Sequence, residues 1–157
     1  MAIPPNNQSS RANTIRKVFS RETSVSVDIN AGSSIIWSLL TNASGYPGWS
    51  NTVVSIEGNI APGETIKLKS TLDPKRTFKL RVMEFQPETR LAWGDAMGKR
   101  IFTLNDNKNG SVRFSMTEKI GGPLFPLFSK MIPSFDKPFD QFASDLKTKA
   151  EFIMNAI

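Results

Sequence analysis

Between Thr52 and Ile120 apolar residues recur at every second position through six successive stretches, and a turn signal separates each stretch from the next. No other feature constrains the fold as much, because a period of two puts one apolar and one polar row on opposite faces of a strand. The stretches run over 52–59, 64–72, 76–85, 90–95, 99–105 and 111–120. Pro62-Gly63 suits a type II turn, Asp73-Pro74 and Pro87-Glu88 put proline early in turns, and Asn109-Gly110 is a hairpin signal. Connections this short join antiparallel neighbours, so the six strands form a meander. A seventh strand precedes them over 23–30, where Val25, Val27 and Ile29 alternate with Ser24, Ser26 and Asp28.

The alternation also assigns faces. One row carries Val54, Ile56, Ile66, Leu68, Phe78, Leu80, Val82, Leu91, Trp93, Phe102, Leu104, Val112, Phe114 and Met116. The other carries Lys67, Lys69, Lys79, Arg81 and Arg113, so the sheet has a dry and a wet side. After the first strand the period changes. Ile35, Ile36, Trp37, Leu39 and Leu40 cluster on one helical face, with Ser33 or Ser34 as a cap, and the turn-rich 44–50 brings Tyr46 and Trp49 next to the following strand. Beyond Gly121-Gly122-Pro123, the apolar segment 124–132 is interrupted by Pro126 and bounded by Pro133, which predicts a short helix or lid. From Asp136, a candidate cap with Pro138 in the first turn, the stripe Phe139, Phe142, Ala143, Leu146, Ala150, Ile153 and Ile157 keeps to one helical face, with Phe152 off it. A helix of about 20 residues is about 30 Å long, close to the width of seven strands about 4.8 Å apart. It can therefore lie across the whole dry face. The expected fold class is α+β: a seven-stranded curved antiparallel sheet wrapped around a long C-terminal helix, with two short helices after the first strand.

Composition removes several function classes. The 157 residues include no Cys and no His. Disulfides and thiolate chemistry are thereby impossible, and the commonest general base, zinc ligand and triad member is missing. No metal and no required cofactor is expected. With 39% hydrophobic residues and eleven Phe the chain can bury a single core. Its net charge of +6 favours anionic partners weakly and at long range. Residues 1–21, with Arg11, Arg16, Lys17 and Arg21, read as a flexible basic arm ending in a short extended stretch, and 22–157 as one domain. Met1 to Phe19 lacks the apolar run of a signal peptide, which makes the cytoplasm the expected location.

The order of elements resembles the START-like or helix-grip superfamily (SRPBCC), in particular its polyketide cyclase/dehydrase-like branch. The resemblance runs from Glu22 to the end and lies in Trp37-Ser-Leu-Leu, Tyr46-Pro-Gly-Trp49, Ile56-Glu57-Gly58, Leu91-Ala-Trp93-Gly94, Phe114-Ser-Met-Thr-Glu118 followed by Gly122-Pro-Leu, and Asp145-Leu146-Lys147. It implies a tunnel-like apolar cavity, used across the superfamily for lipids, sterols, polyketides and plant hormones. It does not imply one chemistry, since relatives include carriers, aromatase/cyclases and proteins without known activity.

Strand faces nominate the cavity wall: Trp49, Val54, Leu68, Phe78, Leu80, Trp93, Phe102, Phe114 and Met116, closed by Phe128, Met131, Phe135 and Phe139. The same side chains could instead fill a solid core. A curved sheet facing one helix favours a hollow. Charged residues on the dry side carry more information, because an unpaired buried charge is costly. Asp95, Arg100, Glu118 and Glu84 fall there. If the turn at 96–98 sets Asp95 opposite Arg100, and the next hairpin sets Arg100 near Met116, then Asp95, Arg100 and Glu118 gather at one end. Three functions follow from these residues. Arg100, positioned by Glu118 and Asp95, could meet a carboxylate, phosphate or carbonyl on a hydrophobic or amphipathic small molecule. Alternatively Glu118 or Asp95 could exchange a proton in a cofactor-independent cyclase or dehydratase while Arg100 steadies an enolate. A third option is a module binding RNA or membrane through Lys67, Lys69, Lys79 and Arg81, of which a solvated basic face is the plainer account.

Overall fold

The computed structural model describes residues 11–157, so the first ten residues of the expected arm lie outside the described residues. Eight strands form one antiparallel sheet: β1 (Asn13–Arg16), β2 (Ser20–Ile29), β3 (Val53–Glu57), β4 (Thr65–Ser70), β5 (Asp73–Gln86), β6 (Arg90–Gly94), β7 (Gly98–Asp106) and β8 (Val112–Gly121). Their order is β1-β2-β8-β7-β6-β5-β4-β3. The meander is as expected, and β2 closes onto the free side of β8. Among the described residues the strand count is eight rather than seven because the extended end of the arm folds back on β2, with Thr14 opposite Thr23. Four residues are too few to display a period. Thr14 Oγ1 lies 3.0 Å from Thr23 Oγ1 and donates to Asp136 at 2.5 Å, which fastens this edge strand to the C-terminal helix.

The helices are α1 (Ser33–Thr41), α2 (Phe125–Phe128) and α3 (Asp136–Asn155), with 3₁₀ turns at Ala43–Gly48 and Ser129–Met131. Two caps differ from expectation. Gly32 precedes α1, so neither Ser33 nor Ser34 caps it, and Phe135 precedes α3, so Asp136 is already helical. Pro62-Gly63 turns as anticipated: the Glu64 amide donates to Ala61 O at 3.1 Å, and Gly63 has φ +74°, a conformation that favours glycine. Asp73-Pro74 does not form a turn. Thr71 and Leu72 turn the chain, and Asp73 already pairs with Ser70. Proline is tolerated there because it opens a strand.

Pairing shifts between Val53 and Ser55, between Leu68 and Ser70, and between Val82 and Glu84 bend this half of the sheet. Each irregularity turns the side chains around it to the other face. Val54, expected on the dry side, is therefore exposed while Val53 is buried. Glu84, also expected inside, lies on the outer face, 3.0 Å from Arg90 and 3.6 Å from Lys99.

On α3, Phe139, Phe142, Ala143, Leu146 and Ala150 are buried and Phe152 is exposed, as the stripe requires. Ile157 is exposed because the helix ends at Asn155. Each fully buried Phe or Leu in this stripe contributes about 1.5 to 3 kcal/mol. The α3 backbone runs closest to β2, with α1 and β8 beside it, rather than evenly across the sheet. Buried Asp145 locks that position by accepting from the Asn51 amide (2.7 Å), Asn51 Nδ2 (3.1 Å) and Gln141 Nε2 (2.6 Å). The bulged strands β4 to β6 consequently stand away from the helix. Among the described residues no helix is long and apolar enough to cross a membrane.

Candidate functional site

Where the bent strands and α3 diverge, a cavity of about 360 Å³ remains. That volume lies at the small end of sites for organic molecules. Leu68 and Leu80 on β4 and β5, Trp93 on β6 and Met116 on β8 supply the sheet side, and Phe139 and Phe142 supply the helix side. The inner end is sealed by aromatic packing. Phe142 meets Trp49 edge-on at 5.3 Å and lies 5.8 Å from Phe102 and 6.2 Å from Phe114.

Of the nominated wall residues, Leu68, Phe78, Leu80, Trp93, Arg100, Met116, Met131, Phe135 and Phe139 border the cavity. Trp49, Phe102 and Phe114 do not; they form the solid cluster behind Phe142. Phe128 is half-buried away from the cavity, because Phe125 takes the inward position of its short helix. Val54 is outside and Val53 stands in its place. The cavity also takes in Phe142, which strand alternation does not nominate although the helical stripe contains it, and Ile120, which continues the Met116 row two positions beyond Glu118. Arg76 borders the cavity as well, with its guanidinium 4.5 Å from the Phe78 ring centroid.

The charged end is simpler than expected. Arg100 pairs directly opposite Glu118 in the β7–β8 ladder, whereas Phe102 is the residue opposite Met116. Arg100 Nη2 lies 3.0 Å from Glu118 Oε2, with both side chains 19% exposed. Asp95 borders the same cavity, but its Oδ1 accepts from the amides of Met97 (2.8 Å) and Gly98 (3.0 Å), so it caps its own turn. Among the described residues Arg100 has only Glu118 as an ionic partner. Its Nε is buried without a hydrogen-bond partner, and the guanidinium lies 5.2 Å from the Phe139 ring centroid. A buried donor left unpaired costs about 1 to 3 kcal/mol. This cation beside an apolar chamber can therefore gain from an oxygen acceptor.

A second arginine shapes the roof. Arg21 is buried, donating through Nη1 to Ile132 O (3.1 Å) and through Nη2 to Pro133 O (2.8 Å), and it lies 4.7 Å from the Phe135 ring centroid. Burial holds its pKa below the usual guanidinium value; Arg16 adds to that, and Glu118 and Asp136 oppose it. The segment preceding α3, expected to be a short helix or lid, is thus tied down at 132–133, while Leu127 and Met131 project outward.

On the convex face Lys67, Lys69 and Lys79 surround a shallow depression with Ser55, Glu57 and Thr77. Glu57 pairs opposite Lys67, and Arg113 bridges to Asp28 at 3.2 Å, so carboxylates answer part of this charge. Among the described residues no three His, Cys, Asp or Glu side chains converge as a metal site.

Residues 20–151 match the model of the family described as polyketide cyclase / dehydrase and lipid transport. No curated protein matches the chain. Among solved structures it is similar to a START superfamily protein from Mycobacterium smegmatis, at 12% identity over 84% of this chain and 98% of that one, with a TM-score of 0.62. A protein from Nitrosomonas europaea shares 14% identity over 91% and 100% of the two chains, with a TM-score of 0.67. A conserved protein of unknown function from Enterococcus faecalis shares 14% over 87% and 75%, with a TM-score of 0.64. Likeness at such identities shows the fold alone.

Proposed function

The chain belongs to the polyketide cyclase/dehydrase and lipid transport family, and from that premise we propose that it binds a small amphipathic molecule with its apolar body between α3 and β4–β6. The molecule's anionic or carbonyl oxygen meets Arg100. The observation that carries this reading is the buried Arg100 Nε without a partner at the border of a mainly apolar cavity. Glu118 orients the guanidinium, and Phe139 covers it. A volume of about 360 Å³ suits a short acyl chain or a fused-ring compound better than a two-chain lipid.

The test is displacement of a fluorescent fatty acid from the purified protein, together with mass spectrometry of molecules that co-purify with it. Arg100→Gln is expected to weaken binding of carboxylate ligands by about tenfold to a hundredfold, the range for a hydrogen bond to a charged group. Leu80→Trp, which fills the cavity, is expected to abolish it. Wild-type protein that takes up no amphiphile, or Leu80→Trp protein that binds as well as wild type, would refute the proposal. Glu118 borders the same cavity, which favours proton exchange as the second reading. Turnover of a small polyketide-like substrate that is lost in Glu118→Gln but not in Asp95→Asn would establish it.

A further inference from the structure

We propose that the mouth of the cavity docks on an anionic lipid bilayer, which supplies or receives the bound amphiphile; this rests on the ligand reading above. Val18, Phe19, Leu72, Met97, Leu127 and Met131 are exposed, Leu127 by 78% and Met131 by 81%. They come from separate parts of the chain, yet the backbone gathers them at one end. The Gly121 amide donates to Met97 O at 2.9 Å, the Gly122 amide to Phe19 O at 3.0 Å, and the Phe125 amide at the start of α2 to Gly122 O at 3.1 Å. Leu72, Met97 and Met131 border the cavity itself, so the opening lies within the apolar collar.

Contiguous exposed apolar groups mark an interaction surface. The shape and charge of this one fit a bilayer. Its apolar groups are single side chains projecting from turns and from one short helix, which suits insertion among lipid headgroups better than packing against a flat protein face. Exposed Lys17, Lys75, Arg76, Lys130 and Lys137 neighbour the collar in sequence, as cations flank apolar residues that enter an anionic interface. They outnumber the carboxylates of the same loops, Asp73, Asp95 and Asp136. Asp95 and Asp136 are moreover engaged, one by its turn amides and the other by Thr14. An amphiphile passing between cavity and bilayer through this collar would avoid crossing water, which is the costly part of its transfer.

Flotation of the full chain with phosphatidylcholine vesicles, with and without phosphatidylglycerol, tests the proposal. Wild-type protein is expected to float with the anionic vesicles and to release from them in high salt. Leu127→Asp and Val18→Asp are each expected to lower vesicle partition by about tenfold or more, whereas Phe152→Asp, on the exposed side of α3, leaves it unchanged. No flotation with anionic vesicles at low salt overturns the proposal, as does equal loss in Phe152→Asp. Flotation that survives both collar substitutions overturns it too and points to the convex lysines or to a protein partner for the collar. Uptake of a water-soluble fluorescent amphiphile without vesicles keeps the two readings apart. Leu127→Asp and Val18→Asp retain that uptake if the docking proposal holds, and a wild type without uptake sinks the cavity reading whatever the vesicles do.

Discussion

Tyr46 is the only tyrosine of the chain and is fully buried. Its ring lies 4.9 Å from Trp49, and its hydroxyl donates to Leu40 O at 2.7 Å, which ties the 3₁₀ turn to the end of α1. Burial raises its pKa above the ordinary 10.0, and the Arg100 charge opposes that shift only in part. A folded pKa above the unfolded one means that the contribution is fully present below about pH 10 and is lost as pH rises, by up to about 1.4 kcal/mol per pH unit. Tyr46→Phe should cost about 1 kcal/mol at neutral pH through the lost hydrogen bond and should flatten the alkaline fall in stability. Denaturant melts at several pH values measure both effects. Because no other tyrosine contributes, phenolate absorbance should appear only as the protein unfolds; a native protein ionising near pH 10 would contradict this account. At the same scale, Arg100 and Glu118 were legible because alternation runs unbroken through β7 and β8. The engagement of Asp95 was not, since a carboxylate before a tight turn can either cap the turn or reach across it, and alternation does not choose.

Elements reveal where reading by periodicity fails. The strands, their order and the terminal helix follow from runs of apolar residues long enough to show a period. A bulge adds one residue without altering composition, and no glycine marks the one at Val53 and Ser55, so the sequence bears no sign of it. The consequence is measurable. Alternation counted back from Ile56 places Val54 inside, whereas the bulge buries Val53 and exposes Val54. Val54→Asp should change stability by no more than about 0.5 kcal/mol, as for an ordinary surface substitution, while Val53→Asp should cost about 3 kcal/mol or more by burying an unpaired carboxylate. Thermal denaturation of the two variants decides the register, and the opposite ranking would mean that β3 pairs without the bulge. Glu84 likewise lies on the outer face because of the third irregularity, and Arg90 and Lys99 meet it there.

At the scale of the whole molecule the hollow arises from asymmetry. A helix long enough to cross seven strands could have filled the dry face. Instead Asp145 and the β1 edge hold it over β2 and β8, and the bulged strands curve away on the other side. Helix length was legible in the sequence, but helix placement depends on long-range hydrogen bonds that no local pattern records. The division predicts unequal stability. Strands β2, β7 and β8 lie between two neighbours and beneath the buried face of α3, whereas β5 carries exposed residues from Asp73 to Thr77 and β3 is a sheet edge. Native-state hydrogen exchange should therefore be slowest in β2, β7 and β8 and fastest in β3, in the first half of β5 and in 124–131. Adding an amphiphile that displaces the fluorescent fatty acid should slow exchange in β4, β5 and 131–139, because those segments border the cavity and have the most mobility to lose. The stabilisation should grow with the logarithm of free ligand above its Kd. Protection gained mainly in β2 and β8 would place the ligand on the other side of α3, and uniform slowing would mean that ligand stabilises the fold only globally, without a site between the helix and the bent strands.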